Sequence, residues 1–178
     1  SAAIGLLRQL HPGLPIIGIE PAVKPAALAA GSSSVIVMAT PLTIREDKYQ
    51  KLAAAFCGHA NVISLPCKGL AEVVERGIFD GPVLDAYLQD LLLPFRYCNI
   101  DYIVLGCTHY PFVRKAIARN FGRPVSIIDG SEGTARQLRR QLEAASLLTD
   151  RTGFGTVTFQ NSRPDKLAMS QTLFQMKY

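Results

Sequence analysis

The run Ile103-Val104-Leu105, closed by Gly106 and followed by Cys107-Thr108-His109-Tyr110-Pro111, constrains this chain more than any other stretch. A short unbroken apolar run beside a glycine has the pattern of a strand buried on both faces, as in the interior of a parallel sheet. Pro111 suits the first turn of a helix, where its missing N–H costs nothing. Cys107, Thr108 and His109 are thereby placed on the turn from strand to helix. In open α/β sheets ligands bind at that carboxyl edge, and the free amides that open the next helix favour an anion there.

The turn carries specific chemistry. A thiol acts as nucleophile or base only as thiolate, and a helix N-terminus or a nearby imidazolium lowers its pKa. Gly106 is expected to leave room for a substrate to approach. Thr108 offers a hydroxyl to a carboxylate. His109 lies two residues from Cys107, so in an extended turn both side chains point the same way and can exchange a proton. The alternative is a structural cysteine in the core with a capping threonine and a surface histidine.

Strands and helices alternate along the rest of the chain, which implies a parallel sheet with right-handed crossovers. Helices are expected over 2–10, 22–30, 43–58, 69–77, 80–94, 110–121 and 164–177, with a further long one that follows a turn at 129–134 and runs to about 147; strands are expected over 14–19, 34–39, 62–65, 125–128 and 156–159, with another built on the 103–105 run. Thr40 and Thr43 follow the carboxyl end of the 34–39 strand; they can bond a substrate carboxylate, cap a helix, or do both. Glu72 and Glu75 are one helical turn apart, the pattern of a solvated face with ion pairs. Asp129-Gly130-Ser131-Glu132-Gly133 lacks a phosphate-loop pattern and reads as a crossing with a helix cap.

Charge narrows the partners. The chain of 178 residues carries a net charge of +5, but its basic residues are scattered, so an anionic small molecule fits better than nucleic acid. No apolar run approaches the roughly 18 residues that span a bilayer, so no membrane partner is expected. Ser1-Ala2-Ala3-Ile4 lacks a basic leader before a long apolar region, so a cytoplasmic location with reduced thiols is expected. The four cysteines, Cys57, Cys67, Cys98 and Cys107, form no Cys-x-x-Cys pair, and no metal is expected. Cys57 and Cys98, near helix ends, read as packing residues, while Cys67 lies at a strand end.

Several blocks, in order, resemble the aspartate/glutamate racemase superfamily. Gly106-Cys107-Thr108-His109-Tyr110-Pro111 is similar to the second cysteine motif of its glutamate racemases. Gly18 to Ala26 resembles the family's domain crossing, Val37 to Thr43 its Ala-Thr-x-x-Thr turn, and Pro66-Cys67 through Val74-Glu75-Arg76-Gly77 a further block. The resemblance implies an α/β fold of parallel sheets flanked by helices in two domains. Residues 1–20 and 129–178 would be the remainder of a first domain that is incomplete here, and 21–128 a second, whole one.

It implies cofactor-independent interconversion of L- and D-glutamate, with two cysteines flanking the α-carbon, to supply D-glutamate for peptidoglycan. Cys107 would be the second cysteine, His109 its proton-managing partner, and Glu75 the residue that orients His109. Thr108, with His109, Thr40 and Thr43, would bind the substrate. The expected partner is glutamate, with a homodimer left open. Aspartate as substrate, a non-catalytic carboxylate-binding module, and a cysteine-dependent hydrolase or thiol transferase are the competing readings. No Cys-Asn-Thr-like first motif occurs, so the chain is expected to correspond to the C-terminal portion of such an enzyme and to be inactive alone.

Overall fold

The computed structural model describes residues 3–177 and divides into two compact units, one of residues up to Glu20 with Gly130–Thr158, the other of Pro21–Asp129 with Phe159 onward. The second unit contains four parallel strands, β1 (Ser34–Ala39), β2 (Asn61–Pro66), β3 (Ile100–Leu105) and β4 (Ser126–Asp129), in the order β2-β1-β3-β4. Val37 pairs with Val104 and Met38 with Leu105 across the central strands.

Side chains alternate across a strand, so β1 sends Ile36 and Met38 to one face and Val35 and Val37 to the other. On the first face they meet helices α5 (Leu70–Glu75), α6 (Pro82–Leu92) and α7 (Arg114–Phe121) through Leu70, Leu84, Leu88, Ile117 and Phe121. On the second they meet α2 (Val23–Ala30) and α4 (Asp47–Phe56) through Val23, Ala26, Ala27 and Tyr49. This three-layer arrangement explains why β1 reads as a continuous apolar run: five of its six residues are buried. Full burial of each large aliphatic side chain contributes about 1.5–3 kcal/mol.

In the first unit, helices α1 (Ile4–Leu10) and α8 (Ser131–Ala144) have no buried residue. Leu6, Leu7 and Leu10 on α1 and Leu138 on α8 face solvent. The expected start of α1 at Ala2 lies outside the described residues.

The structure corrects several expected elements. Residues 14–19 and 156–159 form no strand, although their patterns suit one. A strand exists only where a partner completes its ladder, and neither segment has one among the described residues. The helix expected over 43–58 is two, α3 (Pro41–Arg45) and α4, because Glu46 between them is extended at φ −67°, ψ 131°. The helix expected over 110–121 opens with a 3₁₀ turn at Tyr110–Val113 before α7. Helix α9 (Leu167–Gln175) falls in the second unit, not in the first as the sequence suggested: Leu173 packs against the core beneath α5–α7.

Candidate functional site

Sheet order fixes the place where a ligand can sit. The chain leaves β1 for β2 on one side, then crosses back to β3 on the other, so connections diverge between β1 and β3. In parallel sheets such a switch point opens a crevice at the carboxyl ends of the two strands. The residues that follow those ends are Thr40 after β1 and Gly106-Cys107-Thr108-His109 after β3.

Gly106 is required by packing rather than by a substrate. Its amide donates to the Met38 carbonyl at 2.7 Å, and a Cβ there would lie 3.0 Å from that oxygen, 3.1 Å from Ala39 Cβ and 3.3 Å from Pro21 Cγ. The space that the sequence assigned to a ligand is filled by β1 and by the start of the second unit. This close approach joins the carboxyl ends of β1 and β3, which Thr40 and Cys107 follow.

Cys107 is partly buried, Thr108 exposed, and Tyr110 behind them fully buried. Cys107 Sγ lies 3.6 Å from His109 Nδ1, and His109 Nε2 lies 3.2 Å from Glu75 Oε1 at the end of α5. The imidazole side chain is 29% exposed and the carboxylate 50%, so the chain of contacts runs from the interior to solvent. A carboxylate only accepts, so Nε2 carries the proton it donates to Glu75. In the neutral imidazole Nδ1 is then an acceptor aimed at the Cys107 S–H. This arrangement can take a proton from the sulfur and return it.

The thiol itself departs from what the motif suggested. Burial pushes the Cys107 pKa above its ordinary value, and the Glu72 and Glu75 carboxylates push it further. The backbone N–H groups of His109 and Tyr110 oppose this, but burial is the larger effect. Cys107 therefore rests as a protonated thiol, a proton donor, and not as the thiolate that a helix N-terminus alone would give.

Thr40 and Thr43 act together. Thr40 Oγ1 accepts the Thr43 amide at 3.1 Å, capping α3, and the two hydroxyl oxygens lie 2.9 Å apart. The cap and a ligand contact are compatible, since a hydroxyl can donate as well as accept. Nothing among the described residues bonds this pair to Cys107; the two groups share the sheet edge.

The other cysteines lie elsewhere. Cys57 follows α4 and Cys98 precedes β3, so both sit at the opposite, amino edge of the sheet, exposed instead of packed as expected. Their thiols donate to the Ala54 and Pro94 carbonyls. Cys67 does lie at the carboxyl edge but is sealed in the core, where burial drives its thiol up to about 12. Tyr110 has a part that the sequence reading missed: its buried hydroxyl donates to the Cys67 carbonyl at 3.3 Å, tying the end of β2 to the Cys107 turn. The only signal for it was a polar atom in a motif otherwise read as a helix start. No cluster of side chains suited to a metal occurs among the described residues. None of their helices is long and apolar enough to cross a membrane.

A sequence profile described as Asp/Glu/Hydantoin racemase matches residues 1–138. A protein named glutamate racemase from Clostridium perfringens is 43% identical over 99% of this chain, which spans 69% of that relative. A crystal structure of glutamate racemase from Francisella tularensis in complex with D-glutamate superposes with a TM-score of 0.68 at 27% identity, over 83% of this chain and 55% of that one. The Escherichia coli glutamate racemase structure shares the fold, with a TM-score of 0.75 at 22% identity over 98% of this chain and 66% of that one. The chain thus spans little more than half to about two thirds of the proteins it matches.

Proposed function

Because the chain belongs to the Asp/Glu/Hydantoin racemase family, we propose that it carries one of the two acid/base thiols with which a glutamate racemase inverts the α-carbon of glutamate. The observation that carries this reading is the continuous contact from Cys107 through His109 to Glu75 at the carboxyl edge of β3. Inversion needs a base on one face of the α-carbon and an acid on the other. Cys107, protonated at rest, is the acid for one enantiomer: its S–H gives a proton to the α-carbon, and the resulting thiolate regains one from solvent by way of His109, whose Nδ1 takes up the proton and passes it to the sulfur. In the reverse direction the sulfur, its proton drawn off by Nδ1, removes the α-hydrogen.

Thr108, Thr40 and Thr43 hold the substrate carboxylates, and Glu75 fixes the tautomer of His109. The α-hydrogen is weakly acidic, so donors positioned on the carboxylate must stabilise the carbanion. The role in the cell is the supply of D-glutamate for peptidoglycan, in the cytoplasm, by a protein able to pair as a homodimer.

None of Cys57, Cys67 and Cys98 can face Cys107 across a substrate, so the second thiol has no source among the cysteines of this chain. The test joins this chain to the part of the Clostridium perfringens relative that the match leaves uncovered. Chiral chromatography is expected to show inversion of glutamate that Cys107→Ala abolishes, and this chain alone is expected to show none. Inversion by this chain alone, or by the joined protein lacking the Cys107 thiol, would overturn the reading.

A further inference from the structure

Helix α5 is six residues long, and its last residue is Glu75. A helix this short cannot hold its own geometry, and its direction is set by what binds its ends. At the front, the Cys67 carbonyl accepts from Tyr110 and the Lys68 carbonyl from the Tyr87 hydroxyl at 3.1 Å, before Gly69 turns left-handed at φ 87°.

The rear is closed by residues far along the chain. The carbonyls of Glu72, Val73 and Val74 accept from the amides of Arg76, Ile78 and Gly77, with Gly77 left-handed at φ 79°. That is a Schellman-type end. The next carbonyl, that of Glu75 itself, accepts from Lys166 Nζ at 3.3 Å, across 91 residues of sequence. Lys166 is the residue before α9. One turn on, Met169 Cε stands 3.3 Å from where a Cβ on Gly77 would lie, and Leu173 packs into the core below. Helix α9 is thus seated on the end of α5, and its amino end delivers a cation to a helix C-terminus, where a cation is favoured.

We propose that Lys166 is a positioning residue for the Cys107 relay: by holding the Glu75 carbonyl, it fixes the last turn of α5 and with it the reach of the Glu75 carboxylate to His109 Nε2. Lys166 touches neither sulfur nor substrate and acts only through Glu75. The catalytic consequence rests on the racemase reading, but the positioning does not.

The test uses this chain labelled with ¹⁵N-histidine, reading the His109 tautomer from its two nitrogen shifts at mildly alkaline pH, where imidazoles are neutral. The unmodified chain is expected to favour Nε2–H. Lys166→Met, which keeps an unbranched side chain, is expected to lose that preference, and Lys166→Arg to retain it. In a Glu75→Ala background Lys166→Met should change nothing further. Ser170→Ala serves as a control, because the Ser170 hydroxyl donates to the carbonyl of Lys166, just before α9, and accepts from Asn161, leaving the Lys166 ammonium its bond to Glu75; it should leave the tautomer alone.

An unchanged tautomer in Lys166→Met overturns the proposal. So does an equal change in the Glu75→Ala background, which would show Lys166 acting as a charge through space. So does a change in Ser170→Ala, which would assign the effect to α9 at large. If Cys107 proves not to act on glutamate, the tautomer result stands; if the tautomer does not move, the glutamate reading is untouched.

Discussion

Replacing Gly106 by alanine tests whether the approach of β1 to β3 is what builds the site. The new Cβ meets three atoms at 3.0–3.3 Å: the Met38 oxygen, Ala39 Cβ and Pro21 Cγ. None is the free end of a flexible side chain. The Met38 oxygen is held by the Gly106 amide at 2.7 Å, so moving it weakens the bond that joins the two strand ends. Overpacking of this kind costs about 1–3 kcal/mol. With a urea dependence of about 2 kcal/mol per molar, the unfolding midpoint should fall by ~0.5–1.5 M. Gly133→Ala is the matched control: it lies inside α8 with open space around its Cβ, and alanine there should stabilise by about 0.5–1 kcal/mol. Urea unfolding followed by circular dichroism reads both. A Gly106→Ala midpoint equal to that of the parent would refute the packing argument.

The thiols should separate into three classes towards iodoacetamide, read by peptide mass spectrometry: Cys57 and Cys98 fast, Cys107 slower, and Cys67 only after unfolding. Cys67 also gives a pH dependence. Its folded pKa, raised from 9.0 to about 12, keeps its proton where the unfolded thiol has lost its own. The stabilisation is complete below pH 9 and is lost as pH rises through about 12. Over that window the parent should lose stability about 1.4 kcal/mol per pH unit more steeply than Cys67→Ala; parallel curves would contradict the burial of this thiol.

Much of the fold was legible because β1 and β3 are buried on both faces and leave continuous apolar runs. The sequence pattern failed where stability depends on a partner. Residues 14–19 and 156–159 have the right residues for strands, but no ladder forms beside them among the described residues. Glu46, the break between α3 and α4, carries no proline or glycine to mark it. At the site, the Cys107-Thr108-His109 turn was readable from Gly106 and Pro111. The resting state of the thiol was not, because it depends on burial and on Glu72 and Glu75 across the fold. Lys166 could not be found from sequence at all, since its contact spans 91 residues and ends on a backbone oxygen.

The central claim is that the Cys107 sulfur stands open to glutamate at the carboxyl edge of the sheet. Its most direct test is the rate at which iodoacetamide labels Cys107 as D- or L-glutamate is titrated, with Cys57 and Cys98 as internal references. Saturable slowing at Cys107 alone, weakened by Thr108→Val, is the result predicted. Labelling of Cys107 that ignores both enantiomers would contradict it.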